Sequence, residues 1–230
     1  MIAAMTQTID HYWSRLADRH DAAALPALRA AYAEPHRAYH ALRHIDELLS
    51  KLAEREALAT RPDLVAAAVF WHDSVYQTRA SDGRPRPDAL SVSDSLALFR
   101  NHAAFPQQDA EAVADMIMAT AAHGKADATR EIYSGFSKDL DLFLDLDLSP
   151  LAAPWPEFSQ NLDDIRFEYS WVPEADFSAA RLEMLAGLAR ADGSLYRRPE
   201  CAAVWEQPAR ANIARVIAEL QTRMKRAARG

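Results

Sequence analysis

The most constraining feature of this sequence is a run of apolar residues from Leu64 to Tyr76, interrupted only near its end by His72, Asp73 and Ser74. Pro62 stands just before the run, and proline is favoured in the first turn of a helix. A helix that is apolar on every side is stable only when other elements cover it. The run therefore predicts a buried central helix.

Apolar residues recur at helical spacing through most of the remaining chain. Glycine, which weakens helices, occurs only 6 times in 230 residues. The segment Ser81 to Pro87 contains one glycine and two prolines, so it predicts a loop. Further helices are predicted at Ile9–Leu16, at Leu42–Leu52, around Leu96 and Phe99, from Val113 to a stop at Gly124, from Trp155 onward, from near Ser178 to Leu188, and at Ile213–Leu220.

The segment Asp139 to Leu148 fits two structures. Its alternation of aspartate and leucine is typical of a strand, whereas Phe136, Leu140, Phe143 and Leu144 form a helical stripe. No partner strand is evident elsewhere, and an isolated strand is not stable. We therefore predict a helix here.

These patterns predict an all-α protein that forms a single domain over residues 1–230. Its core spans about residues 30–150, and additional C-terminal helices form a layer over about residues 151–225. No apolar stretch reaches the length of about 18 residues that a membrane span needs, and the first residues lack the features of a secretory signal. The single cysteine, Cys201, excludes an internal disulfide and favours a reducing, cytoplasmic location. The formal charge of −7 argues against nucleic acid as a partner.

Three sets of ionisable residues stand where burial would be costly unless they are paired or bind a metal. His72 and Asp73 end the apolar helix. His40 and His44 are four residues apart and share a face if both are helical. In a helix, Asp147 falls on the apolar stripe and Asp145 on the opposite side, whereas a strand would place both on one face.

His44 and His72 supply two imidazoles, and Asp73 and Asp147 supply two carboxylates, all from three separate helices. Mixed nitrogen and oxygen ligands suit Mn²⁺, Fe²⁺, Co²⁺, Ni²⁺ or Zn²⁺, and Mg²⁺ remains open. Such an ion would lower the pKa of its water and polarise a phosphoryl group.

In these segments the sequence resembles the HD-domain superfamily, specifically its uncharacterised branch of predicted metal-dependent phosphohydrolases. The resemblance covers about residues 30–215 and lies in five stretches in the expected order. These are residues 37–45 (RAYHALRHI), 70–76 (FWHDSVY), 119–123 (ATAAH), 144–149 (LDLDLS) and 165–172 (IRFEYSWV).

The resemblance implies an HD-type helical bundle with a metal held by His44, His72, Asp73 and Asp147. It implies that Asp73 also acts as a general base. It further implies that two histidines, His40 and His123, lie near the metal and contact phosphate or a second ion. The sequence departs from the family at Asp94, where relatives often have glutamate, and at Ala122–His123, where many have two histidines. The second departure disfavours a two-metal centre.

The segment around Arg166 could serve the same pocket. Arg166 and Tyr169 are three residues apart, as are Glu168 and Trp171, so each pair can share a helix face. In one interpretation Arg166 binds the substrate phosphate, with Tyr169 and Glu168 alongside. In the other, Arg166 and Glu168 make structural ion pairs. Two further arginines, Arg181 and Arg190, are interpreted as surface or ion-pair residues.

The expected function is hydrolysis of a small phosphate ester, such as a nucleotide, by metal-activated water. The alternative is a non-catalytic HD-type module that binds or senses a ligand. A related helical oxygenase would need more histidines for two irons. The sequence leaves a homodimer open and does not identify the substrate.

Overall fold

The computed structural model describes residues 2–122, 138–190 and 193–227. Within these residues it contains helices and no strand, apart from isolated bridges at His20–Ala103 and Arg79–Pro85. The predicted all-α fold class is thus confirmed. The α-helices are α1 (Ile2–Leu16), α2 (Ala24–Tyr32), α3 (Leu42–Glu54), α4 (Pro62–Trp71), α5 (Asp88–His102), α6 (Gln107–Ala119), α7 (Lys138–Leu148), α8 (Trp155–Glu168), α9 (Glu174–Arg190) and α10 (Pro199–Ala227).

The centre of the fold is α4, as the apolar run predicts. Every residue from Leu64 to Trp71 is buried. The helix packs against α1, α3, α5, α6 and α7, which cover it on all sides. Asp139 at the start of α7 accepts hydrogen bonds from the backbone N–H groups of Thr60 and Arg61, just before α4 begins. This side chain satisfies donors that lie at the entry to a buried helix.

The last helices form a separate group of contacts. α10 packs along α9 and against the short 3-10 segment Ser149–Ala152 that follows α7. Asn212 on α10 donates from its side-chain amide to the carbonyls of Leu151 and Ala153, which fixes this packing. None of the helices in the described ranges is long and apolar enough to cross a membrane.

Several predicted boundaries need correction. The apolar helix ends at Trp71 and not at Tyr76, because the chain turns as soon as His72 is reached. α9 begins at Glu174, four residues before the predicted start. α2 was not predicted, although its buried residues Ala24, Leu28 and Tyr32 follow helical spacing.

Two other predictions are confirmed and one cannot be compared. The loop between residues 81 and 87 is present, and Gly83 adopts the positive φ of 86° that a glycine accommodates best. The ambiguous segment is helical as α7. α6 ends at Ala119 and passes into a 3-10 turn, while the predicted stop at Gly124 and the stripe residue Phe136 lie outside the described residues.

Candidate metal centre

Three helices bring the central ionisable side chains together. His72 is the C-cap of α4, His44 lies in the first turn of α3, and Asp147 lies in the last turn of α7. The buried α4 ends here because its next two residues, His72 and Asp73, are polar. The local sequence thus places two polar side chains directly at the end of a buried apolar helix.

The ligand atoms of His44, His72 and Asp147 all lie within 4.8 Å of one another, so this cluster could hold a metal ion. Oδ1 of Asp147 lies 3.4 Å from Nε2 of His44 and 3.3 Å from Nε2 of His72. Oδ2 of Asp73 lies 3.0 Å from Nε2 of His72 and 3.9 Å from Nε2 of His44. All four residues predicted as ligands therefore meet at one place.

The members of the cluster differ in how far they are buried. The side chains of His44 and His72 are 2% and 1% exposed, whereas those of Asp73 and Asp147 are 17% and 13% exposed. The imidazoles are thus buried, and the carboxylates are the more exposed members of the cluster.

The hydrogen bonding of His72 determines what its second ring nitrogen can do. Nδ1 lies 3.0 Å from the carbonyl of Val69, and because a carbonyl only accepts, Nδ1 must be the protonated donor. In the neutral ring Nε2 then carries a lone pair. This nitrogen is buried without a hydrogen bond and faces the oxygens of Asp73 and Asp147. Three electron-rich atoms at such distances need a cation among them.

The electrostatics of the residues agree with this requirement. Burial, the largest influence on the pKa of His72, lowers it, but the charges of Asp73 and Asp147 reverse the direction and raise it well above its ordinary value. Burial also raises the pKa of Asp73, but the adjacent His72 outweighs it and brings the pKa below the ordinary range. The site therefore favours positive charge between the carboxylates, from a proton or from a metal. The Nδ1 atom of His44 is buried without a hydrogen bond, so no neighbour fixes the tautomer of this ring.

Asp147 and Asp145 have separate environments. Asp145 is fully buried and accepts the backbone N–H groups of Arg197 and Arg198 at 2.7 and 2.8 Å. Burial raises the pKa of Asp145 to about 6 despite these bonds. Asp145 thus holds the start of α10, and Asp147 is the carboxylate that this helix places in the cluster.

His40 lies beside the cluster, but not on a helix. The predicted shared helical face of His40 and His44 is wrong, because α3 begins at Leu42 and His40 lies in the preceding turn. The ring of His40 is 6.2 Å from that of His44 and stacks on Tyr76 at 3.7 Å. Its Nδ1 lies 2.7 Å from Oε2 of Glu168.

Glu168 organises the turn that carries His40. Its Oε1 accepts the backbone N–H groups of Ala38, Tyr39 and His40 at 2.8 to 2.9 Å, and its side chain is fully enclosed. Its predicted contact with substrate is therefore corrected to a structural one, since both oxygens are already used. Burial raises the pKa of Glu168, but the bond to His40 outweighs it and lowers the pKa below its ordinary value.

Arg166 occupies a structural position. Its Nε donates to Glu174 at 2.8 Å, and its other nitrogens donate to the carbonyls of Tyr169 and Val172 at 2.6 and 3.0 Å. This geometry favours the ion-pair interpretation over the substrate contact, because the guanidinium closes the junction between α8 and α9. The hydroxyl of Tyr169 lies 3.3 Å from that of Tyr76, next to His40.

Arg37 is a supporting residue that the sequence analysis missed. It is 7% exposed and donates from Nη1 to the carbonyl of Asp73 at 2.6 Å and from Nη2 to that of Ser74 at 3.1 Å. It also donates to the carbonyl of His40 at 3.2 Å, so it joins the two turns that flank the cluster. The only sequence signal is its position at the start of a polar turn, which does not distinguish it from a surface arginine.

Two residues singled out in the sequence remain. His123, predicted to lie near the metal, is outside the described residues. Asp94 on α5 forms an ion pair with Arg86 at the protein surface.

Comparison with known proteins returns no matching family model, no matching curated protein and no matching solved structure.

Proposed function

We propose that this chain is an HD-type, metal-dependent phosphohydrolase that acts on a small phosphate ester, such as a nucleotide. The observation that carries the proposal is the cluster of His44, His72 and Asp147, whose ligand atoms all lie within 4.8 Å of one another, with Oδ2 of Asp73 3.0 Å from Nε2 of His72. The resemblance in sequence supplies the reaction class. The fold is all-helical, as that class requires.

The donor set fits a divalent transition ion held by His44, His72 and Asp147, with Asp73 beside them. The hydrogen bond from His72 to a backbone carbonyl is the kind of support that orients metal-binding imidazoles. When bound, such an ion supplies positive charge that polarises a phosphoryl oxygen and makes water more acidic.

Asp73 is placed to accept the proton of the attacking water. An aspartate is ionised at neutral pH, and the side chain of Asp73 is 17% exposed with its Oδ2 beside Nε2 of His72. Arg37 holds the carbonyl of the same residue and so fixes its backbone. In this proposal Asp73 takes the proton as the oxygen of water forms its bond to phosphorus.

His40 is placed to donate a proton to the leaving oxygen as the ester bond breaks. Its Nδ1 is held by Glu168, which leaves Nε2 as the nitrogen that can exchange a proton with a ligand. The stacked ring of Tyr76 fixes the plane of the imidazole. In this proposal Asp73 serves the attacking water and His40 serves the leaving oxygen.

The experiment that tests the proposal is phosphate release by purified protein, stripped with chelator and reloaded separately with Mn²⁺, Fe²⁺, Co²⁺, Ni²⁺, Zn²⁺ and Mg²⁺. A set of nucleotides and sugar phosphates serves as substrates. We expect release with at least one ion, and a loss of about 100-fold or more in His40→Ala, as removal of a general acid gives.

The control is Arg190→Met, an exposed residue of α9. Absence of release with every ion and substrate, from protein shown to hold the metal, would contradict the proposed activity. Retention of a nucleotide without turnover would instead identify a sensing module.

A further inference from the structure

Arg181 on α9 is a half-buried cation that has no ion-pair partner among the described residues. Its Nε is sealed from solvent and makes no hydrogen bond, and no carboxylate among the described residues pairs with it. This differs from the interpretation of Arg181 as a surface or ion-pair residue. It also differs from Arg166, which uses its donors on Glu174 and two carbonyls.

The groups that act electrostatically on Arg181 are three tyrosines, Tyr39, Tyr76 and Tyr169. Burial raises the pKa of each phenol, so all three are neutral at physiological pH. Nothing in this surrounding balances the charge of the guanidinium. Burial lowers the pKa of Arg181, yet an arginine in a protein remains protonated.

The same tyrosines connect Arg181 to the candidate metal centre. The ring of Tyr39 lies 5.0 Å from that of His44, and the ring of Tyr76 stacks on His40. The hydroxyls of Tyr76 and Tyr169 lie 3.3 Å apart. The tyrosines that act electrostatically on Arg181 therefore also include the two whose rings contact His44 and His40.

A sealed polar nitrogen without a hydrogen bond costs free energy that a bound acceptor would recover, and the partial exposure of Arg181 leaves room for a ligand to reach the guanidinium. A guanidinium presents several donors in a planar fork that matches the oxygens of phosphate. Neutral tyrosine hydroxyls can donate further hydrogen bonds to the same oxygens. An anion of this shape is the ligand that would complete the surroundings of Arg181.

We infer that Arg181 binds a phosphoryl group of the substrate beside the cluster of His44, His72 and Asp147, with the tyrosine hydroxyls as additional donors. The inference rests on the proposed function for the identity of the anion as phosphate. It adds the residue that recognises the anion, in place of Arg166. Arg181 is a binding residue and takes no part in the transfer of protons.

The test measures binding of inorganic phosphate by calorimetry, with and without metal, in wild type, Arg181→Met and Arg181→Lys. The matched control is Arg190→Met, which makes the same change of charge at an exposed position of the same helix. We expect the dissociation constant for phosphate to rise about tenfold to hundredfold in Arg181→Met, as the loss of a charge-assisted hydrogen bond gives. Arg181→Lys should recover part of the affinity, and the control should match wild type.

Thermal unfolding provides a second measurement, which distinguishes a ligand-binding arginine from one that only stabilises the fold. Arg181→Met should melt at the same temperature as wild type or higher, because Arg181 makes no hydrogen bond or ion pair with the described residues that the substitution would break. Phosphate should raise the melting temperature of metal-free wild type more than chloride at equal ionic strength. This measurement needs no variant and remains decisive if Arg181→Met does not fold.

Unchanged phosphate affinity in Arg181→Met, or no stabilisation of wild type by phosphate, would overturn the inference. These experiments distinguish a failure of this inference from a failure of the proposed function. Ester hydrolysis with phosphate affinity independent of Arg181 would refute this inference and leave the proposed function in place. Phosphate binding that depends on Arg181, without hydrolysis of any ester, would support the anion site and refute the activity.

Discussion

Replacement of Glu168 tests how the site is held in place. The carboxylate accepts three backbone N–H groups on Oε1 and the Nδ1–H of His40 on Oε2, and its side chain is fully enclosed. Glu168→Leu leaves all four donors without a partner. Each orphaned buried donor costs about 1–3 kcal/mol, and the turn relaxes enough to recover part of the loss. Loss of one partner from a buried charged network costs about 3–5 kcal/mol, which is the net loss we expect.

The assay is urea unfolding followed by circular dichroism, with the dependence on denaturant compared between variants. The matched control is Glu174→Gln, whose carboxylate is 63% exposed and pairs with Arg166. An exposed ion pair of this kind contributes about 0–1 kcal/mol. If Glu168→Leu lost no more stability than the control, the role assigned to this carboxylate would be wrong.

Glu168→Gln separates stability from function. The amide oxygen can still accept the three backbone N–H groups, but the amide nitrogen is a donor and faces the donor Nδ1–H of His40. The imidazole then has to shift its proton to Nε2 and accept at Nδ1. We expect a smaller loss of stability than in Glu168→Leu, together with a changed pH profile of activity. An unchanged pH profile would contradict the proposed role of His40.

Three further predictions concern neighbouring side chains. The folded pKa of Glu168 lies below its ordinary 4.5, so the stability that this carboxylate contributes is complete above 4.5 and is lost as pH falls through the folded pKa. In Glu168→Gln, the free energy of unfolding should therefore depend less on pH in the acidic range. Elemental analysis should show that Asp147→Ala loses metal and that Asp145→Ala keeps it; the reverse pattern would refute the placement of these two carboxylates. In urea unfolding, Asp145→Ala should lose about 1–3 kcal/mol of stability, because two backbone N–H groups before α10 lose their acceptor. Arg37→Met should lower both the stability of the fold and the affinity for metal, because Arg37 binds the carbonyl of Asp73. Unchanged metal affinity would show that the turn after α4 keeps its conformation without Arg37.

The fold class could be predicted from sequence because the determining signals are local. The apolar run before His72, with Pro62 at its start, predicts a buried helix, and scarce glycine favours helices throughout the chain. The alternation in α7 was harder to interpret, since its aspartates serve different partners. Asp139 satisfies donors before α4, Asp145 holds the start of α10, and Asp147 lies in the cluster. A helix buried around most of its circumference can place each carboxylate in a different polar contact.

The meeting of His44, His72, Asp73 and Asp147 was anticipated from their positions at or beside apolar stripes together with the resemblance to the HD-domain superfamily. The roles of Glu168 and Arg166 could not be assigned in the same way. Glu168 bonds to a turn about 130 residues earlier in the chain, which no spacing rule indicates.

The environment of Arg181 could not be predicted from the sequence either. A single arginine on a moderately polar helix has no sequence signal that distinguishes a buried position from an exposed one. Only the structure shows that its Nε is sealed from solvent and makes no hydrogen bond.

The central claim is that His44, His72 and Asp147 hold a divalent transition ion. The most direct measurement is the anomalous scattering of a crystal of the protein loaded with Mn²⁺ or Zn²⁺, collected on both sides of the metal absorption edge. The account predicts one strong peak at about 2.0–2.2 Å from Nε2 of both histidines and from a carboxylate oxygen of Asp147. A loaded crystal with no peak at this cluster, or with the ion bound only elsewhere, would contradict it.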